Sequence, residues 1–299
     1  LIKQRSDIKR LKNKLLLNLL IMVMIVALGV ASYYTYLSYQ HYSTVKNSTK
    51  LSSFLDTFEP VLDKIASESI HSTAYLAVES KGNLRKLKKA RSATDLAWRE
   101  LETFAYDHPM YEKYIKKINR IGKALIHVRK EVDEPNGKTK NILFQTYHQK
   151  ISGWLLEILE DVSATQSATG SKKYLSTYHE YSRLKKNTVA EHSIVYPVLL
   201  GSRAMSRQEI TRWKQLIAKD VLPPLATLKQ SSIGSEIGGL LSNKSYQGII
   251  SGEREMILAE ARRGNYSVSV PGWQNKIEEK MAYFKKIESY LHDEIQNIE

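Results

Sequence analysis

The 299-residue chain contains no cysteine, and this absence excludes two kinds of chemistry. No disulfide can staple the fold, and no thiolate can act as a nucleophile or as a metal ligand. The absence leaves the compartment open, because many exported bacterial domains also have no disulfides. The location of the protein must therefore be read from other features of the sequence.

The common catalytic signatures are also missing. The chain has no glycine-rich phosphate-binding loop and no G-x-S-x-G nucleophile motif. Metal-ligating histidines on one helix face stand three or four positions apart, and no two histidines here have that spacing. The eight histidines are His41, His71, His108, His127, His148, His179, His192 and His292. These absences predict a protein that is not an enzyme and that binds no cofactor and no metal ion.

Charge is missing from one long stretch near the N-terminus, residues 15–37, which reads LLLNLLIMVMIVALGVASYYTYL. About 20 apolar residues suffice for a helix to span the hydrocarbon core of a bilayer, so the segment predicts a transmembrane helix. Six Lys or Arg residues precede it, and five tyrosines mark its far end. They are Tyr33, Tyr34, Tyr36, Tyr39 and Tyr42. A basic flank and an aromatic belt in this order place the N-terminus in the cytoplasm.

This orientation divides the chain into three segments. Residues 1–14 form a cytoplasmic basic flank, residues 15–37 cross the inner (cytoplasmic) membrane, and residues 45–297 form a periplasmic, extracytoplasmic domain. The alternative is a cleaved signal peptide, since GVAS at 29–32 resembles a small-residue cleavage site, although the apolar stretch is longer than a usual signal core.

The net charge of +14 raises the question of nucleic-acid binding. Six of the basic residues belong to the membrane flank, and the others are scattered along predicted helices, as in NLRKLKKAR at 83–91. The sequence contains no recognised nucleic-acid module. Solvated helix faces account for these charges better, so no nucleic-acid partner is predicted.

Amphipathic runs of about 15 to 30 residues, separated by turn signals, fill the chain after the apolar segment. The signals lie at 82–83, 107–109, 134–138, 168–171, 206–209, 222–224 and 265–272. Gly82 and Asn83 are expected to end one helix, and Asp107 and Ser171 are expected to cap the starts of two others. At 206–209 the sequence SRQE has the spacing of a capping box. Pro197 is expected to interrupt its helix, because proline has no N–H and crowds the carbonyl of Ser193. The pattern predicts an all-α fold, in which an N-terminal transmembrane helix precedes two stacked antiparallel helical bundles.

One helical stripe becomes polar for two turns and then becomes apolar again. Apolar residues at Phe58, Leu62, Ile65 and Leu76 bracket Ser69 and Ser72. A buried hydroxyl needs a partner, so this patch indicates either a hydrogen-bonded ligand or water. The alternative is that the hydroxyls bond back to the preceding turn of their own helix.

Several short motifs carry a resemblance to a known family. They are IASESIHSTAYL at 65–76, ARSATDLAWREL at 90–101, LIHVRKEVD at 125–133, KYLSTYHEYSRLKKNTVAEHS at 173–193 and VPGWQNKIEEKMAYFKKIESYL at 270–291. In the second and third motifs the matching positions are Arg91, Thr94, Asp95, Leu125, Arg129, Val132 and Asp133. With these motifs in this order, the chain resembles the nitrate- and nitrite-sensing (NIT) domain of bacterial transmembrane receptors.

The resemblance implies two stacked four-helix bundles outside the membrane of a chemoreceptor, histidine kinase or diguanylate cyclase, which would act as a homodimer. The family is thought to bind its anion near arginines that flank a cavity between helices. Here the first of these positions lies in Glu68-Ser69, a second reads Pro197, and a third is kept as Arg254. The resemblance therefore supports the sensor role more than it supports nitrate.

The same resemblance, together with the polar stripe, predicts the residues of a ligand site. They are Ser69, Ser72, Glu68, Glu191, His192 and Arg254. Two of three arginines are missing and two carboxylates remain, so a neutral, zwitterionic or cationic small molecule, or no ligand, is expected rather than nitrate. The leading functional interpretation is a ligand-sensing input domain of a transmembrane receptor. The alternative is a membrane-anchored helical scaffold that binds a protein partner and no small molecule.

Overall fold

A computed structural model describes residues 2–165, 169–222 and 243–296. Every regular element within these ranges is helical, and they contain no β-strand. The chain divides into two compact units, Leu1–Lys50 and Leu51–Ile298. The all-α prediction is therefore confirmed.

The first unit consists of a single helix with an apolar surface. Helix α1 (Ile2–Ala77) contains the stretch Lys14–Gln40, which is long and apolar enough to cross a membrane. Large apolar side chains along it are about half or more exposed, among them Leu15, Met22, Ile25 and Leu28. In length and composition this exposed apolar stretch matches a membrane-spanning helix.

The second unit begins within α1 and continues through a series of helices. They are α2 (Lys81–Asp107), a 3-10 helix (Pro109–Tyr114), α3 (Ile115–Asp133), α4 (Thr139–Leu143), a π-helix (Phe144–Ile151), α5 (Ser152–Thr165), α6 (Thr169–Leu200), α7 (Arg207–Ala218), α8 (Asn243–Gly248), α9 (Ser251–Glu260) and α10 (Val270–Gln296). Side-chain contacts show that α6 and α10 run antiparallel, because Lys185 pairs with Glu288 whereas His192 contacts Trp273.

Two hydrophobic cores divide this unit, and the long helices α6 and α10 contribute to both. The first core includes Phe58, Leu125, Leu159, Tyr178 and Phe284. The second core includes Val195, Trp213, Ile257 and Trp273. Sharing two long helices between two cores is the arrangement expected of stacked bundles.

Several local predictions hold. The capping box is present, since the Ser206 hydroxyl accepts from the N–H of Glu209 at 3.2 Å and the Glu209 carboxylate accepts from the N–H of Ser206 at 2.8 Å. The turn at 134–138 separates α3 from α4, and most of 265–272 is a loop before α10. Of the break at 222–224, only Leu222 lies within the described residues.

Other local predictions are wrong. Gly82 and Asn83 do not end a helix, because α2 already begins at Lys81 with the Ser80 side chain as its cap. Asp107 is the last residue of α2, and His108 rather than Asp107 precedes the 3-10 helix. Ser171 lies inside α6 and does not cap it.

Pro197 does not interrupt its helix. Helix α6 continues through Pro197 to Leu200. The missing proline N–H removes a single helical hydrogen bond, and this loss falls within the last turn. The Pro197 carbonyl still accepts from the N–H of Gly201 at 3.1 Å.

Candidate functional site

Glu68 on α1 is fully buried and lies at the centre of a polar network. The Arg129 guanidinium from α3 binds it through two parallel bonds, Nε to Oε1 and Nη2 to Oε2, both 2.8 Å long. The Tyr147 hydroxyl from the π-helix donates to Oε1 at 2.9 Å. A buried carboxylate is tolerated when a fork of this kind and a further donor satisfy its oxygens.

Arg129 and Arg91 connect α2 with α3 through two crossed ion pairs. Arg129 Nη1 binds Asp95 at 2.6 Å, and Arg91 Nη1 binds Asp133 at 2.8 Å. Burial lowers the pKa of Arg129, but its bonds to Glu68 and Asp95 outweigh burial and raise the pKa. Four of the motif positions that suggested the resemblance therefore act as interhelical ties, namely Arg91, Asp95, Arg129 and Asp133.

The two serines of the polar stripe have different partners. The Ser69 hydroxyl donates to the Ala66 carbonyl at 2.9 Å, which is the back-bonding that the sequence left as an alternative. Ser72 lies 3.4 Å from the Tyr147 hydroxyl and thus at the edge of the Glu68 network. Ser69 is thereby satisfied within its own helix, while Ser72 joins a network between helices.

A second buried network surrounds Arg254 on α9. Arg254 Nε and Nη2 bind the Glu191 carboxylate of α6 at 2.7 and 2.6 Å, and Nη2 also binds Asp220 at 2.6 Å. Lys280 of α10 binds Asp220, and the Trp213 indole N–H donates to Glu191 at 2.8 Å. Two cations thus face two carboxylates, so this interior cluster is balanced in charge.

The pKa shifts in this network reflect the mutual pairing. Burial raises the pKa of Asp220, but Lys280 and Arg254 beside it outweigh burial and lower that pKa below its ordinary value. Burial lowers the pKa of Lys280, and Asp220 offsets only part of this effect. The Tyr246 hydroxyl also donates to Asp220. The cluster is a network that satisfies itself without a ligand.

His192 has a separate environment on α6. Its Nδ1 accepts from the Trp273 indole N–H at 2.9 Å, so the proton of the neutral ring lies on Nε2. Burial, with a smaller contribution from His71, lowers the pKa of His192 to about 3. The imidazole is therefore neutral at physiological pH. His192, His71 and Ser67 line a cavity of about 320 Å³ between α1, α6 and α10, which we call the central cavity.

A third ion cluster lies at the far end of α10. Lys185 Nζ binds Glu288 at 2.7 Å and Asp63 at 2.8 Å. Burial is the largest cause of a shift that raises the pKa of Glu288 to about 7; Lys185 lowers this pKa, and the charges of Glu59 and Asp63 raise it by smaller amounts. Protonation of Glu288 therefore falls within the physiological pH range.

The predicted site residues fall into separate networks rather than one pocket. Glu68 and Ser72 belong to the first network, and Glu191 and Arg254 belong to the second. His192 lines the central cavity. Ligand binding by Ser69, Ser72, Glu68, Glu191, His192 and Arg254 remains a prediction. Within the described ranges, His, Asp and Glu side chains form no group of three or more that could hold a metal ion.

Sequence reasoning missed Tyr147, Asp220 and Lys280 as members of these networks. Lys280 did carry a signal, because it follows Ile277 and precedes Phe284 on one apolar helical stripe. A charged residue in such a stripe is buried only if it is paired. Asp220 follows α7 without any periodic pattern, so its burial had no comparable signal in the sequence.

The comparisons with known proteins agree with this architecture. A family model described as nitrate and nitrite sensing, NIT, matches residues 61–296. The chain therefore belongs to the nitrate- and nitrite-sensing domain family, and it carries a sensing domain of that family. The structure of the NasR transcription antiterminator superposes with a TM-score of 0.64 at 10% sequence identity, covering 90% of this chain and 73% of that chain. At that identity the likeness concerns the fold alone. No curated protein sequence matches the chain.

Proposed function

We propose that the chain is the extracytoplasmic ligand-sensing input domain of a membrane-anchored bacterial signalling receptor of the chemoreceptor, histidine kinase or diguanylate cyclase type. The observation that carries this proposal is a sensing-family match over 61–296 that directly follows an apolar helix segment at Lys14–Gln40. The basic flank before that segment and the tyrosines after it support a cytoplasmic N-terminus and a periplasmic domain.

The ligand of this proposed sensor is a small molecule without net negative charge. Arg254, the family arginine position kept here, is already paired with Glu191 and Asp220, so an anion would have to compete with two carboxylates for it. The central cavity instead offers the neutral His192 ring and the Ser67 hydroxyl beside apolar side chains, including Ile277 and Met281. Its charged lining residues are Asp63 and Lys185, which pair with each other, and Lys285. Neutral donors, a carboxylate and apolar walls suit a neutral, zwitterionic or cationic molecule.

Signalling in this proposal uses the two long helices that belong to both cores. A ligand in the central cavity would contact α1, α6 and α10 together, and it would favour one of two packings of these helices. Receptors of this kind act as dimers, so a homodimer is the proposed functional unit. A small displacement of α1 is the proposed output of the domain.

The topology and the dimer can be tested on the full chain. A reporter active only outside the cytoplasm, inserted after residue 50, should give signal, while a cytoplasm-dependent reporter at the same place should not. Because the native chain has no cysteine, Leu28→Cys places a single thiol in the apolar segment. Mild oxidation of membranes should then yield a covalent dimer. Activity of the cytoplasmic reporter alone, or a strictly monomeric Leu28→Cys protein, would overturn the proposal.

A further inference from the structure

A second cavity, separate from the central cavity, carries an excess of positive charge. It has a volume of about 380 Å³ and lies between the π-helix, α6 and α7. Three cations line it, namely Lys186, Arg212 and Lys219. Among the described residues that line it, none is Asp or Glu. We call this feature the basic cavity.

The cations of the basic cavity differ in their partners from the more deeply placed cations of the domain. Arg129, Lys185 and Arg254 each bind two carboxylates. In contrast, Lys186 and Lys219 form no ion pair with any described residue within 4 Å. Within the part of the chain that the structure describes, no carboxylate is paired with either lysine.

The environment of Lys186 reflects this lack of compensation. Burial lowers its pKa, and the charges of Lys219 and Arg183 lower it further. Glu157 acts in the opposite direction, but this glutamate already binds Lys117 at 3.1 Å. A ligand that brought negative charge to Lys186 would relieve the repulsion among these cations.

Arg212 is held in place by neutral groups. Its Nη2 donates to the Asn141 side-chain oxygen, and its guanidinium lies 5.1 Å from the centroid of the Phe144 ring. Neither contact brings a negative charge to the guanidinium. The group therefore keeps its positive charge and still has N–H donors for a ligand. A positioned but unneutralised guanidinium is well suited to recognise a carboxylate.

A neighbouring cavity continues the positive lining. It has a volume of about 330 Å³ and shares Phe144, His148 and Arg212 with the basic cavity. There, the cation Arg203 is paired with Glu209, which also lines that cavity, and Lys140 adds a further cation. The neighbouring cavity thus contains a carboxylate, whereas the described lining of the basic cavity contains none.

We propose that the basic cavity binds a small organic polycarboxylate. The three cations supply charge for two or more carboxylates, and the amides of Asn187 and Gln215 add neutral donors. Leu216 and Phe144 provide apolar walls that suit a carbon skeleton better than an inorganic ion. Water occupies about 30 Å³ in the liquid, so this volume admits a molecule of several heavy atoms.

The inference is independent of the proposed sensing ligand, because the residues that line the two cavities do not overlap. Arg212, Gln215 and Leu216 of α7 and Lys219 directly after it line the basic cavity at helical spacing. Lys214, which is exposed as Lys219 is, lies on the opposite side of α7. It therefore offers a control that removes the same charge without touching the cavity.

The test is calorimetric titration of the full-length chain in detergent with citrate at low ionic strength. Each of Lys186→Gln and Lys219→Gln should weaken citrate binding about tenfold or more, since each removes a charge-assisted contact. Lys214→Gln should change the affinity less than about twofold, and added salt should weaken binding to the native chain. Thermal unfolding of each variant checks that the fold is retained.

Three results would overturn the proposal. The first is the absence of saturable citrate binding to a folded native chain, and the second is an equal loss of affinity in Lys214→Gln. The third is inorganic phosphate binding as tightly as citrate, which would remove the role of the carbon skeleton. The topology reporters and the Leu28→Cys crosslink do not depend on this cavity, so failure here leaves the proposed sensor role intact.

Discussion

Titration of the chain in detergent with nitrate or nitrite tests whether an anion can separate Arg254 from its carboxylate partners. Arg254 makes two bonds to Glu191 and one to Asp220, with lengths of 2.6 to 2.7 Å. A nitrate ion could replace the two bonds to Glu191 with two of its own. The displaced Glu191 carboxylate would then remain buried, with only the Trp213 N–H to satisfy it.

The magnitude follows from the penalty for breaking a buried ion pair. Separating such a pair costs about 3–5 kcal/mol, because one charge is left uncompensated. At about 1.4 kcal/mol per tenfold, this cost weakens binding by roughly two to three and a half orders of magnitude. A site that would bind nitrate at about 1 μM through a free arginine should therefore bind it here at roughly 0.1 to 4 mM.

Calorimetry on two matched variants separates this explanation from a general loss of the site. Glu191→Gln keeps the shape and can still accept from Trp213, but it removes one of the two competing carboxylates. Nitrate affinity should rise in this variant, by about tenfold or more. Glu278→Gln removes the same charge from an exposed position of α10 and should leave nitrate affinity unchanged.

One result would refute the reasoning directly. If the native chain binds nitrate at micromolar concentration and Arg254→Ala abolishes this binding, the arginine can exchange its partners at little cost. The family's anion site would then survive in this chain. Nitrate binding that disappears in Lys186→Gln instead would assign the ion to the basic cavity.

Three further predictions concern stability and folding. Because the pKa of Glu288 is about 7 when folded and 4.5 in its unperturbed state, its contribution to stability is present at low pH and is lost as pH rises through about 7. Denaturant unfolding should show a smaller decrease between pH 5.5 and 8 in Glu288→Gln than in the native chain, and an equal decrease would contradict the assignment. Arg129→Lys replaces the two-bond fork on buried Glu68 with a single point charge and should lower the free energy of unfolding by about 2–4 kcal/mol. The control is Arg85→Lys at an exposed position. Equal denaturant midpoints for the two variants would argue against the network. A 45–299 fragment should be soluble and predominantly helical, and a β-type far-ultraviolet circular dichroism spectrum would exclude the fold.

The parts of the fold that could be predicted are those fixed by local spacing. The capping box at Ser206 depends on two residues three positions apart, and it forms as expected. The apolar stripe of α10 likewise predicts burial of Ile277, Phe284 and Leu291. Helix starts are harder to predict from the sequence. The Ser80 side chain caps α2, but the turn signal at Gly82, two residues later, indicates a break at a different place. Pro197 shows the same limit, since tertiary packing carries α6 through it.

The parts of the candidate site that could not be predicted are pairings between distant helices. Glu191 and His192 continue a helical stripe on α6 that is formed by Tyr181, Leu184, Thr188 and Val195. The stripe predicts that both are buried, but it does not identify their partners. Arg254 lies 63 positions from Glu191, and Lys280 lies 60 positions from Asp220. Such contacts depend on which helices become neighbours, and single-sequence periodicity does not determine this.

The balance of buried charge constrains what a ligand of this domain can be. The buried carboxylates among the described residues are Glu68, Glu191, Asp220 and Glu288. Each of them already has a cationic partner in the structure. An incoming charge in these networks would have to displace one of those partners, at a cost of several kcal/mol. Two proposed sites avoid the cost of displacing a partner. The neutral imidazole of His192 suits an uncharged or zwitterionic molecule, and Lys186 and Lys219 suit an anion.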